Sequence, residues 1–401
     1  MNSDINQLQP YPFEKLVALK ENVTAAPDKT PIALSIGEPR HPMPDFVAKE
    51  ISAHIHSIGK YPLSKGLAPL REAIADWLTW RFKLPAQTIT MDAHVIPVCG
   101  TREGLFSFAQ AIVDRSHNPL VVLPNPFYQI YEGATLLAGA EPYYLNTTAA
   151  SNLLPDFDHV SANTWDRCQL LYICSPGNPT GAILDEPRLQ QLISLADKHD
   201  FVIASDECYS ELYFDEQQAP VGLLQAAANM GRIDYQRCVV FHSLSKRSNV
   251  PGLRSGFIAG DKTLLAKFLT YRTYHGCAMP EFIQQTSIKL WQDELHVIEN
   301  RNLYRQKFSK VLDILQPHMD VFMPQAGFYL WLSTPINDEL FAQQLYVQQN
   351  VTVLPGSYLS REFDGINPGQ NYVRIALVAE MEECLNAAHR LVSFRNSINI
   401  N

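Results

Sequence analysis

The chain has 401 residues, 46% of them hydrophobic, and 41 acidic against 32 basic side chains give a formal charge of −9. That length and apolar content support a large core split into roughly two or three compact units. The acidic balance argues against a nucleic-acid surface, which needs a concentrated basic face, and no apolar run reaches the ~18 residues of a membrane span.

Residues 1–20 lack the basic-then-apolar order of a secretory leader, and residues 1–40 read as an N-terminal segment. Short apolar runs at 95–98, 120–123, 170–174, 201–204, 239–241 and 257–259 predict strands buried on both faces. Between them, 102–113, 130–137 and 186–199 carry apolar residues at i, i+3 and i+4, the helical period, with Asp185 placed as an N-cap. Residues 41–285 are therefore expected to form an α/β unit, a mostly parallel central sheet between helices. From 281 to 315 the pattern is nearly all helical. Strands are expected at 322–332, 351–354 and 372–377, then a last helix over 379–394. This segregation predicts a smaller α+β unit over 286–401. No internal repeat or low-complexity tract interrupts the chain. Cys99, Cys168, Cys174, Cys208, Cys238, Cys277 and Cys384 lie mostly in apolar segments, odd in number and without a C-x-x-C pair. They read as reduced thiols of a cytoplasmic protein, and with no H-E-x-x-H or cysteine cluster no metal is expected.

Four groups of residues carry chemistry. Lys246 follows Ser243 and Ser245 at the end of a predicted strand, and Arg254 comes eight residues later. A lone strand-end lysine is usually a solvated cap, but hydroxyls and a guanidinium beside it make a phosphate clamp next to a nucleophilic amine. That combination suits a phosphorylated aldehyde. Asp206 ends the run that begins at Phe201, where open α/β sheets place their ligands. It is either a helix N-cap or the carboxylate that keeps a pyridine nitrogen protonated, with Tyr209 within reach of a ring oxygen. Ser175 to Gly181 is a turn rich in proline and glycine; it is a tight connection, or a fixed backbone that projects the Asn178 amide toward a ligand. In Cys99-Gly100-Thr101-Arg102 a strand passes through glycine into a helix, a common join whose free N–H groups can bind phosphate.

Together these pieces resemble the class I/II aminotransferases, pyridoxal-phosphate enzymes of fold type I, over nearly the whole chain. The family's Ser-x-Ser-Lys followed by Arg is met by Ser243, Ser245, Lys246 and Arg254, with Ser255 where a branched apolar residue, Met or Ala is usual. The Asn-Pro-Thr-Gly turn is met by Asn178 to Gly181, and Asp-x-x-Tyr by Asp206 and Tyr209. The resemblance implies pyridoxal 5'-phosphate as cofactor and Lys246 as the catalytic amine. It implies a phosphate cup from Gly100, Thr101, Arg102, Ser243, Ser245 and Arg254, with Tyr128 stacked on the ring. Tyr61 resembles the tyrosine that reaches the phosphate of a neighbouring subunit, which implies a homodimer with shared sites. Gly37, Asn178 and Arg374 match the substrate-binding positions, Arg374 gripping the α-carboxylate. Residues 245–256 and 271–276 look like those of bacterial N-succinyl-L,L-diaminopimelate aminotransferases, enzymes of lysine biosynthesis that use glutamate as donor and N-succinyl-2-amino-6-ketopimelate as acceptor. Arg40, Lys65, Arg102 and Arg272 are then possible partners for the distal carboxylates.

An aspartate, kynurenine or broad-specificity aminotransferase, or a carbon–sulfur lyase, would keep every cofactor residue and differ only in the pocket. The same fold serves as a ligand sensor in some transcription regulators, a role disfavoured here by the acidic charge and by the want of a preceding helix-turn-helix segment. A nicotinamide-binding domain is disfavoured by the missing G-x-G-x-x-G turn.

Overall fold

A computed structural model describes residues 2–398. Its central sheet has seven strands in the spatial order Val95–Val98, Gly256–Gly260, Cys238–Ser243, Val202–Asp206, Cys168–Cys174, Leu120–Asn125, Glu141–Asn146. All neighbours pair in parallel except Gly256–Gly260, which runs antiparallel to both strands beside it. The continuous apolar runs follow from this position, because alternate residues feed cores on opposite faces. Ile203 and Val240 pack into one layer with Trp77, Leu192 and Trp291, while Val202, Ala204 and Val239 pack into the other with Phe108 and Phe268.

A second core gathers the helices Leu295–Leu315, Asp338–Gln349 and Met381–Ser397 around a three-stranded antiparallel sheet, Leu354–Pro355, Tyr372–Ala376 and Tyr329–Ser333 in spatial order. Near the N-terminus, Ile32–Ala33 pairs in parallel with Val351–Thr352, and Leu16 of the helix Pro12–Lys20 packs on Leu354, Tyr358 and Leu359. Among the described residues no helix is long and apolar enough to cross a membrane.

Several expected elements differ. The strand Glu141–Asn146 was not expected: it sits at the sheet edge with only Leu145 buried, so it lacks an apolar run. The strand expected over 322–332 begins only at Tyr329, because Pro324 and Gly327 (φ +89) interrupt the preceding segment, and Phe322 is exposed. The run at 351–354 splits between two sheets. The boundary expected at 285/286 falls inside the helix Glu281–Gln292, whose Leu290 and Trp291 belong to the large core. The next helix, Leu295–Leu315, packs Tyr304, Phe308 and Leu315 into the other core.

Val95–Val98, Cys168–Cys174, Val202–Asp206 and Cys238–Ser243 all run in one direction, so their carboxyl ends open at a single edge. Open parallel sheets place ligands at that edge.

Candidate active site

A cavity of about 580 Å³ covers this edge and is lined from both cores. Lys246 enters it from the short helix Leu244–Arg247, which Ser243 caps by accepting from the Ser245 backbone N–H at 3.1 Å. The Ser243 hydroxyl also donates to Ser245 Oγ at 2.9 Å, which leaves the Ser245 hydroxyl hydrogen free. The Lys246 ammonium donates to the Gly37 carbonyl at 2.5 Å and lies 5.3 Å from the Phe328 ring centre. Burial pulls its pKa down to about 8, opposed by Cys208 and Glu38 and aided by the Arg374 and Arg254 guanidinium groups. At pH 7 about 10% of the amine is then neutral, against about 0.03% for an ordinary lysine, so these surroundings together enrich the nucleophile ~300-fold.

One end of the cavity is built for an anion. Gly100 has φ +83, and a Cβ there would stand 2.2 Å from Arg254 Nη2, so glycine is required both by the backbone and by the guanidinium against it. Arg254 is held by donating from Nη1 to the Pro251 carbonyl at 2.9 Å and from Nη2 to the Cys99 carbonyl at 3.5 Å. Thr101 begins the helix Thr101–Ile112 and meets Cys208 Sγ at 3.1 Å. First-turn N–H groups, one guanidinium and a free hydroxyl are a phosphate's complement.

At the other end Asp206 closes its strand. Its Oδ2 accepts from the Tyr131 hydroxyl at 2.6 Å and its Oδ1 from the Cys208 backbone N–H at 3.2 Å. Burial raises its pKa while these bonds lower it. Among the described residues it has no ion-pair partner, so a buried carboxylate faces the cavity with its charge uncompensated, as a protonated ring nitrogen requires. The Tyr209 hydroxyl lies 3.1 Å from that of Tyr329.

Arg374 reaches in from the small sheet. Its Nη1 donates to Asn178 Oδ1 at 3.0 Å, its Nη2 to the Ser35 carbonyl at 2.9 Å, and the guanidinium lies 4.4 Å from the Tyr329 ring centre. Its Nε is buried without a partner among the described residues, a donor left for a carboxylate. Gly37 closes over this corner so tightly that a Cβ would stand 1.9 Å from the Tyr329 hydroxyl oxygen.

The cavity thus brings together Gly37, Thr101, Arg102, Tyr128, Asn178, Asp206, Tyr209, Ser243, Ser245, Lys246, Arg254 and Arg374, with Gly100 directly behind Arg254. Tyr61 is not among them; it is 99% exposed on this chain. Arg40 is paired with Glu383, Lys65 with Asp92 and buried Arg272 with Glu103, which leaves Arg102 as the one of these four cations that lines the cavity. Its Nε donates to the Tyr128 hydroxyl at 2.7 Å. Sequence reasoning missed Tyr131, Glu38 and Tyr329. Tyr131 stands three residues after Tyr128, one turn apart, and that spacing was its only signal. Cys99, Glu103 and Cys277 bring ligand atoms within 4.8 Å of one another, but Arg272 already occupies Glu103 and sets a fixed cation where a metal would sit.

The sequence profile of the aminotransferase class I and II family matches residues 29–391. The chain belongs to this family. It is accordingly a pyridoxal-phosphate-dependent aminotransferase, acting between amino acids and keto acids, and the buried Asp206, the Gly100–Arg254 cradle and the lowered Lys246 fit that cofactor. The aminotransferase is similar to a crystal structure of an aminotransferase from Neisseria meningitidis, 48% identical with a TM-score of 0.94 over 98% of this chain and 99% of that one. An aminotransferase from Helicobacter pylori is 35% identical, with a TM-score of 0.90 over 98% and 100%. An LL-diaminopimelate aminotransferase from Maridesulfovibrio salexigens is 30% identical over 96% of each chain.

Proposed function

We propose that this aminotransferase moves the amino group of glutamate to N-succinyl-2-amino-6-ketopimelate, in the cytoplasmic synthesis of diaminopimelate and lysine. The observation that carries the reading is a cavity with a carboxylate grip, Arg374, and a second cation, Arg102, both beside one nucleophilic amine. Such an acceptor has carboxylates at both ends. The likeness of residues 245–256 and 271–276 to enzymes acting on that acceptor supports it, as does the 30% identity to an LL-diaminopimelate aminotransferase.

In this reading Lys246 Nζ would hold the cofactor by its aldehyde, and the freed amine would carry the α-proton. Bound pyridoxal phosphate supplies the electron sink that lets that proton leave. Asp206 would hold the ring nitrogen, Asn178 and Tyr209 the ring oxygen, and Tyr128 the ring face. Gly100, Thr101, Ser243, Ser245, Arg254 and the first-turn backbone N–H of Arg102 would hold the phosphate, which leaves the Arg102 guanidinium for the distal carboxylate; Tyr61 of a second subunit would join them, and Gly37, Asn178 and Arg374 would fix the α-carboxylate. The Gly37 segment excludes water from the amine it covers.

A second reading, unsuccinylated LL-diaminopimelate paired with 2-oxoglutarate, is favoured by Glu38. Its carboxylate lines the cavity without an ion-pair partner among the described residues and suits a distal ammonium that succinylation removes. Glutamate should be assayed with the succinylated acceptor, oxaloacetate, pyruvate and aromatic keto acids, and LL-diaminopimelate with 2-oxoglutarate. The highest kcat/KM is expected for the succinylated acceptor; a preference for LL-diaminopimelate replaces it with the second reading, and one for an aromatic acceptor overturns both.

A further inference from the structure

Behind the cavity lies a line of buried polar groups that the chemistry above does not use. Lys307, on the long helix Leu295–Leu315 and buried, donates to the Ala379 carbonyl at 2.5 Å and lies 2.8 Å from His41 Nε2. His41 Nδ1 lies 2.8 Å from Asn300 Oδ1. The Asn300 amide donates onward to the Lys246 carbonyl at 3.3 Å and the Arg247 carbonyl at 3.4 Å. Every donor has one direction to point. An ammonium has no lone pair, so Lys307 donates and His41 Nε2 accepts; Nδ1 then carries the hydrogen and donates to Asn300 Oδ1, and the Asn300 NH₂ is left facing the two carbonyls.

The surroundings hold His41 in that neutral form. Burial lowers its pKa first and the Lys307 ammonium next, while Asn300 and Glu380 oppose; the Tyr304 ring lies 4.3 Å away. Burial lowers Lys307 as well, against Cys384, Glu380 and Glu383. His41 belongs to the same N-terminal stretch as Gly37, whose carbonyl accepts from the Lys246 ammonium. One five-residue stretch therefore holds Lys246 at both ends, at Nζ directly and at its carbonyl through Asn300.

We propose that Lys307, His41 and Asn300 form a positioning relay that registers the Gly37–His41 strap on the backbone of Lys246 and so holds the reacting amine in its dry position. None of the three touches substrate or cofactor; they act through Lys246. The relay also ends on the Ala379 carbonyl, five residues beyond Arg374 in the chain, and Arg374 itself donates to the Ser35 carbonyl, two residues before the strap.

The proposal rests on Lys246 being the amine that binds the cofactor, and Lys246→Ala tests that separately by abolishing the pH-dependent visible absorption of the loaded enzyme. In Asn300→Leu, of similar size and neutral, both donors to the backbone are lost while the lysine keeps its charge neighbours. Water then reaches the Lys246 nitrogen, its protonated, charged form gains, and the midpoint of that absorption titration should rise by about half a unit or more, with kcat falling and the KM for glutamate little changed. If Asn300→Leu does not fold, His41 decides: His41→Asn places an amide donor where Nδ1–H stands, His41→Gln does not, so His41→Asn should keep a midpoint nearer the parent's. A lowered Tm with the parent midpoint in Asn300→Leu, or His41→Gln matching His41→Asn, overturns the relay. Loss of the titration in Lys246→Ala together with no shift in Asn300→Leu would sink the relay alone and leave the assignment of Lys246 standing.

Discussion

Lys246→Ala removes the only amine that lines the cavity among the described residues, and turnover should fall by several orders of magnitude with the fold intact; steady-state rates near the parent's would refute its role. Because burial lowers the Lys246 pKa to about 8, the neutral amine becomes the main form only as pH rises through that value. The rate at which cofactor-free enzyme takes up pyridoxal phosphate, followed by visible absorption, should climb between about pH 7 and 9 and then level off. For an ordinary lysine the climb would continue toward 10. Tyr131 offers a test of the ring end. Its 2.6 Å bond to Asp206 is one of the contacts that lower a carboxyl pKa otherwise raised by burial. In Tyr131→Phe the carboxyl must therefore rise further and protonate at higher pH. The acid limb of the kcat profile should move upward, and kcat at pH 7 should drop about tenfold, the worth of a charge-assisted hydrogen bond.

At the scale of elements, what was legible was what burial had written into composition. Strands buried on both faces show as unbroken apolar runs, and six of the seven large-sheet strands were found that way. The seventh, Glu141–Asn146, buries only Leu145 and looks like a loop. The small unit was harder: the two residues of Ile32–Ala33 cannot show any period, and the apolar run at 351–354 did not reveal that it divides between two sheets. At the candidate site, Lys246, Asp206, Arg254 and Arg374, each singled out by a residue type that suits one proposed task, do line one cavity. The site was not legible where the task depends on what faces a residue in space. Tyr131 reads as helix core, Glu38 as surface, and Asn300 and Lys307 as the polar side of a helix. Local signals at helix ends did survive. Asp185 caps Glu186–His199 by accepting from the Arg188 backbone N–H at 3.0 Å, so Asp185→Ala should cost about 1 kcal/mol in denaturant unfolding while kcat stays at the parent value.

Taken whole, the chain shows one apolar face that its own fold does not cover. Ile55, Ile58, Tyr61 and Leu63 are 44%, 70%, 99% and 70% exposed within nine residues, a cluster more typical of an interface than of a free surface. The homodimer proposed from Tyr61 would bury it. Light scattering should give twice the chain mass, and Ile58→Glu with Leu63→Glu should give monomers that lose pyridoxal phosphate faster on dialysis; a monomeric parent that holds its cofactor would overturn the shared-site reading. The pairing of Ile32–Ala33 with Val351–Thr352 has a consequence in time. A ribosome delivers residue 351 long after residue 32 and after residue 246, so the nascent chain can assemble the phosphate cup and the Lys246 strand before the strap finds its partner. Until that stitch is made, Gly37 cannot cover the amine and Arg374 does not yet exist. The growing protein would meet cofactor as an open half-site, and substrate only once residues 351 and 374 have followed.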